Sequence, residues 1–278
     1  MGCRRSARAK SFRAFRCSKR MHYEVFTAAI AVFLRLGFKK AEVALHYFFY
    51  LSSISSCNHK RNYHQRFGES PVKNCPPERI RNFVLAGHAG SGKTTLADLM
   101  LFKAGVVGRR GSVDNGTSVS DFRQEEQERK SSIYSSILHC PWKDGYFYFT
   151  DTPGNSDFCG EAMNCINISD LMVLVVDAML GIGPGTIRAW RQATERNMPR
   201  MIFINGCDRD QANFDAVLEA IRHNYGMNVC VPYTLPIGSK GGLTGVGCVM
   251  EGVQGEYADR AAEFQSALTD AVAESDEE

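Results

Sequence analysis

A chain of 278 residues that is 44% hydrophobic and 23% charged can fill one large or two small domains and bury a core, which excludes a disordered protein. Its formal net charge of +3 hides an asymmetry: residues 1–81 carry 17 Lys and Arg against 4 Asp and Glu, a balance of +13, and the rest carry 16 against 26, a balance of −10. The ten cysteines contain no C-x-x-C pair, so they show neither zinc-ligand spacing nor a disulfide framework and fit reduced thiols in a cytoplasmic compartment.

Residues 1–76 read as a basic amino-terminal extension of unknown order. Met1–Arg20 is Arg-rich and free of acidic residues, and Val25–Leu34 is an apolar run too short to span a bilayer, interrupted downstream by Arg35, Lys39 and Lys40. No stable membrane insertion is expected. The basic start fits an organellar transit segment and Met1-Gly-Cys-Arg-Arg-Ser6 fits a loose myristoylation pattern, but both patterns are cheap to match, and a poorly ordered extension or a start codon assigned too early is preferred. The basic cluster leaves RNA open as a ligand, but no DNA-reading motif is present and no specific DNA binding is expected.

The apolar run Phe83–Ala86 reads as a buried parallel strand, and Leu96, Leu99 and Met100 recur at helical spacing. Between them, Gly87-His-Ala-Gly-Ser-Gly-Lys-Thr94 is a complete G-x-x-x-x-G-K-[ST] phosphate loop in the strand, loop, helix context that the motif needs. Backbone N–H groups from Gly87, His88, Ala89, Gly90, Ser91 and Gly92 would surround a phosphate at a helix start. Lys93 would reach the β- and γ-phosphates, and Thr94, followed by Thr95, would offer its hydroxyl to Mg²⁺.

A second strand, Tyr146–Thr150, ends in Asp151-Thr152-Pro153-Gly154, where Asp-x-x-Gly spacing sets Asp151 near Mg²⁺ and the Gly154 N–H near a γ-phosphate. A third, Leu171–Asp177, leads to a helix whose inner face is expected to carry Ile187, Trp190 and Ala193. A fourth, Met201–Ile204, delivers Asn205-Gly206-Cys207-Asp208 at its carboxyl end, where open α/β sheets bind ligands. The Asp208 carboxylate can accept from guanine N1–H and its exocyclic amine, a donor pair that adenine lacks; an ordinary Asn/Asp turn is the alternative.

The segment from Gly111 to Ile133, with Asp121-Phe122 and Glu125-Glu-Gln-Glu-Arg129, resembles the switch regions of translational GTPases, most closely the elongation factor G group. Asp151-Thr-Pro-Gly-x-x-Asp-Phe158, Cys207–Phe214 and Gly241–Val246 extend the similarity across residues 77 to 278. The resemblance implies an α/β P-loop NTPase fold, a mostly parallel sheet with helices on both faces, binding GTP and Mg²⁺ and acting in translation on the ribosome. It implies metal ligation by Thr94, Ser132 and Asp151, and catalytic positions at Lys93, Gly154 and Asn155. Read as charge alone, Glu125–Arg129 is a solvated face.

Several positions depart from the family. Asn155 stands where a His orients the attacking water, so slow hydrolysis is expected. Ser132 replaces a Thr, and Gly206 replaces the Lys whose stem covers the base. Gly90 and Ser91 replace residues tied to a monovalent-cation site. The resemblance also implies a domain incomplete at its carboxyl end after the helix Tyr257–Glu274, with Cys230–Val253 as a shortened remnant of an inserted subdomain. A binding module that hydrolyses little, a P-loop ATPase and a non-functional fragment remain the competing readings. The oligomeric state is not readable.

Overall fold

The computed structural model describes residues 28–33, 75–143, 145–227, 229–238, 242–253 and 255–275. Its centre is a seven-stranded sheet: β1 (Ala28–Phe33), β2 (Ile80–Ala86), β3 (Ser136–Trp142), β4 (Gly145–Asp151), β5 (Leu171–Asp177), β6 (Arg200–Asn205) and β7 (Cys230–Pro232), in the spatial order β3-β4-β2-β5-β6-β1-β7. All neighbours are parallel except β3 and β4. The β3–β4 turn is tight, so these two strands pair as a hairpin, whereas each parallel pair needs a crossover.

The strands alternate side chains between two cores. Val84, Met172, Leu174, Val176, Ile202 and Ile204 face one side and pack under helices α3 (Cys159–Ile168), α4 (Pro184–Glu195) and α5 (Phe214–Tyr225). Phe83, Leu85, Val173, Val175 and Phe203 face the other, under α1 (Lys93–Lys103), where Leu96, Leu99 and Met100 are buried as their spacing predicts. Phe83 and Phe149 stack with centroids 5.4 Å apart across the β2–β4 pair. Helices thus cover both faces, the architecture expected for a P-loop NTPase.

The helix after β5 corrects one expectation. Ile187 is 54% exposed, and α4 buries Gly185, Thr186, Ala189 and Ala193 instead. Two residues advance a helix by about 200°, so Ile187 points away from a face set by Gly185 and Ala189. Trp190 lies at the edge of that face, stacked on Tyr225 with centroids 4.0 Å apart.

Within the amino-terminal 76 residues, the backbone of Ala28–Phe33 forms β1, with Ile30 in register with Ile202 on one side and Pro232 on the other. A continuous apolar run suits a strand paired on both edges inside a parallel sheet. The transit and myristoylation patterns at the start of the chain lie outside the described residues. In the 229–253 region, β7 joins the main sheet, while β8 (Thr234–Ile237) and β9 (Gly245–Cys248) form a separate antiparallel pair. The helix α6 (Ala258–Ser275) buries Ala261, Phe264 and Leu268. No described helix is long and apolar enough to cross a membrane.

Burial pushes the thiols of Cys140, Cys207 and Cys230 up to about 12, because a thiolate is poorly solvated inside either core. Alkylation of the native chain at pH 8 should therefore modify Cys75 and Cys159, which are partly exposed, and spare those three until denaturant is added. Mass-spectrometric mapping checks this; equal labelling of Cys140 without denaturant would contradict the packing.

Candidate nucleotide-binding site

The loops that follow β2, β4 and β6 meet at the carboxyl ends of the sheet, because these strands lie within one neighbourhood of the parallel order. Gly92 carries the bend of the phosphate loop: its φ is 89°, and a Cβ there would overlap the Asn205 amide. That amide donates to the Ser91 carbonyl at 2.9 Å and ties the phosphate loop to the end of β6. The Lys93 Nζ donates to the carbonyls of Gly87 at 3.2 Å and His88 at 2.9 Å. Lys93 is 5% exposed, and burial lowers its pKa to about 8 against the opposing pull of Asp151 and Asp121. The His88 pKa is lowered by burial first and then by Lys93 and Arg188, which favours the neutral imidazole.

The Asp-x-x-Gly segment closes onto this loop. A Cβ on Gly154 would sit 2.5 Å from the Ala89 nitrogen and 2.6 Å from Lys93 Nζ, so only glycine permits the approach. Asp151 is buried at the end of β4, where its Oδ2 accepts from Ser120 at 2.6 Å and its Oδ1 has no partner. Burial raises the Asp151 pKa, opposed by Ser120 and Lys93. The Thr152 hydroxyl turns inward to the Leu85 carbonyl at 2.7 Å, and Pro153 is buried beside it.

The hydroxyls of Thr94 and Ser132 lie 3.1 Å apart, both buried, although 38 positions separate them in the sequence. Nearby, burial lifts Asp121 to about 6; Ser132 opposes this, and Asp151, Glu126 and Asp98 add to it. Two hydroxyls and a buried carboxylate with an unpartnered oxygen form the hard oxygen donor set that Mg²⁺ takes. A buried carboxylate without a cation is costly, and a divalent ion would reverse that cost. The residues present fit the metal.

Asn155 lies next to this cluster, half-buried, and its Nδ2 donates to the Ser131 Oγ at 3.2 Å. The neighbouring helix α2 (Gln124–Arg129) corrects a second expectation. Glu125, Glu128 and Arg129 face solvent, but Glu126 is 1% exposed. Its Oε1 accepts from the N–H groups of Ile133 and Tyr134, each at 3.0 Å, so it organises the loop that carries Ser132. Charge counting could not separate one structural carboxylate from its solvated neighbours.

Beside the phosphate loop, a cavity of about 100 Å³ is lined by residues that include Gly90, Gly92, Thr95, Arg110, Asn205, Gly206 and Arg209. A recess of about 350 Å³ shares Thr95 and Arg110 with it and continues along Gly111–Asp114. The Asp208 Oδ1 is buried without a partner, whereas Cys207 belongs to the core and its thiol donates to the Ile204 carbonyl at 3.8 Å. Sequence reasoning did not single out Arg110, Arg209 or Ser120. Arg209 follows Asp208 directly, which was its one available signal, and nothing in the sequence pointed to Ser120.

Residues 78–274 match the family model described as the elongation factor Tu GTP binding domain. A crystal structure of a protein from Thermus thermophilus is similar, with a TM-score of 0.68 and 30% sequence identity over 72% of this chain and 32% of that one. This chain thus spans about a third of the length of that structural relative.

Proposed function

The chain belongs to the family of elongation factor Tu GTP binding domains, and from that premise we propose that it binds GTP with Mg²⁺, hydrolyses it slowly and acts on the ribosome in an elongation factor G-like role. The observation that carries the proposal is the meeting of Lys93, Thr94, Ser132, Asp151 and Gly154 at one end of the sheet. Phosphoryl transfer needs position and charge more than covalent chemistry, and this arrangement supplies both.

In this mechanism the phosphate-loop N–H groups and Lys93 hold the β- and γ-phosphates. Thr94, Ser132 and Asp151 would hold Mg²⁺, which when bound neutralises charge across those phosphates. Gly154 approaches closely enough for its N–H to sense a γ-phosphate, and losing that contact would release the segment after it. Asp208 selects guanine through two accepted hydrogen bonds.

Asn155 sets the rate. An amide can orient a water but cannot become an imidazolium, and here its Nδ2 is engaged with Ser131. That engagement also favours the second reading, a module that signals by occupancy and turns over little nucleotide.

Single-turnover hydrolysis with and without ribosomes separates the two. The expected result is ribosome stimulation that falls about tenfold or more in Asn155→Ala, the scale of losing one positioned polar group, and rises in Asn155→His. An unstimulated rate indifferent to both substitutions would leave the occupancy reading standing.

A further inference from the structure

Gly206 puts no side chain into the cavity beside the phosphate loop, and the Arg209 side chain lies against it instead. A turn in which the Arg209 N–H donates to the Gly206 carbonyl at 3.3 Å folds residue 209 back over residue 206. A Cβ built on Gly206 would lie 3.2 Å from both the Arg209 Cζ and its Nε, so the guanidinium occupies the space where a side chain at 206 would begin. The same guanidinium lines the cavity together with Gly206 and Asn205. One of its edges is fixed: Nη1 donates to Asp177 Oδ2 at 2.9 Å, and Asp177 is almost fully buried at the end of β5.

We infer that Arg209 forms the base-stacking lid of this site, taking over with its planar guanidinium the cover that Gly206 cannot give. This deepens the guanine-nucleotide reading and rests on it. A guanidinium is weakly hydrated and flat, and it stacks on π faces while its edge keeps a carboxylate partner. Asp177 holds the edge, which leaves the plane free to cover a base. Asp208, the preceding residue, addresses the edge of the base, so two adjacent residues divide the work: Asp208 discriminates and Arg209 adds affinity without discriminating.

The test is equilibrium binding of GDP and of inorganic pyrophosphate to the full chain and its variants, with thermal unfolding as a check on folding. Arg209→Ala should weaken GDP binding about tenfold, the scale of a desolvated cation–π contact, and leave pyrophosphate binding unchanged because pyrophosphate carries no base for Arg209 to cover. Arg209→Lys keeps the charge without the plane and should fall between. Asp177→Asn loosens the edge that holds the plane but keeps the guanidinium, so it should weaken GDP binding clearly less than Arg209→Ala does. Arg209→Gln carries the same expectation as Arg209→Ala should the latter fail to fold.

Unchanged GDP affinity in Arg209→Ala or Arg209→Gln would overturn the inference. So would equal losses for GDP and pyrophosphate, or Asp177→Asn being as damaging as Arg209→Ala, since either shows a structural role. A folded, unmodified chain that does not bind GDP overturns the guanine-nucleotide reading itself, and the inference with it.

Discussion

Replacing Lys93 with Ala should weaken GDP and GTP binding by about a thousandfold, equivalent to about 4 kcal/mol, which is the scale of losing two charge-assisted hydrogen bonds to phosphate. The Lys93 ammonium is already positioned, donating to Gly87 and His88 carbonyls at the mouth of the loop. Burial disfavours its cation more than Asp151 and Asp121 favour it, so an incoming phosphate supplies the charge compensation that the site lacks. Lys93→Met keeps most of the buried volume and should show the same loss, which separates charge from packing. Titration of a fluorescent GDP analogue reads both variants; binding within tenfold of the unmodified chain would remove Lys93 from the site.

Asp208→Asn should exchange guanine for xanthine. The carboxylate offers two acceptors to guanine's two donors, whereas an amide offers one donor and one acceptor, which matches the N1–H and C2 carbonyl of xanthine. A site built to pair with specific polar groups rejects a mismatched base by roughly a hundredfold or more. GDP affinity should fall by that much, and xanthosine diphosphate should become the preferred ligand. The unpartnered, buried Asp208 Oδ1 is an acceptor awaiting a donor. Equal GDP binding by the Asn variant would reduce Asp208 to a turn residue.

Much of this site is local in the chain and was legible for that reason. The phosphate loop, its strand and its helix lie within Ile80–Lys103, where apolar runs, glycines and helical spacing agree. Leu171–Asp177 is a strand with the expected bounds, since an apolar run of this length, six of its seven residues buried, fits a strand covered on both faces. What escaped depends on contacts distant in sequence or on close packing. Thr94 and Ser132 were paired through family resemblance, and no periodicity would have brought their hydroxyls together. Ile187 faces outward although it is apolar, because α4 packs through the small residues Gly185 and Ala189. Glu126 was lost among like charges. The fold of Arg209 over Gly206 follows from a turn that the sequence signals only as a gap where a lysine was expected.

The departures at Asn155 and Gly206 have different consequences. The change at Asn155 bears on turnover, because water positioning matters only as the γ-phosphate leaves. Under the proposed function the change at Gly206 bears on affinity, and Arg209 is expected to offset it. Neither change touches Lys93, Thr94, Ser132 or Asp151, so binding and turnover are expected to respond separately to substitution.

Under the proposed function a guanine nucleotide binds between the phosphate loop and the end of β6. Calorimetric titration of the full chain with GDP and with ADP, both with Mg²⁺, tests this. GDP is expected to bind at least about a hundredfold more tightly, since Asp208 would find both donors only on guanine. ADP binding as tightly as GDP, or more tightly, would contradict it.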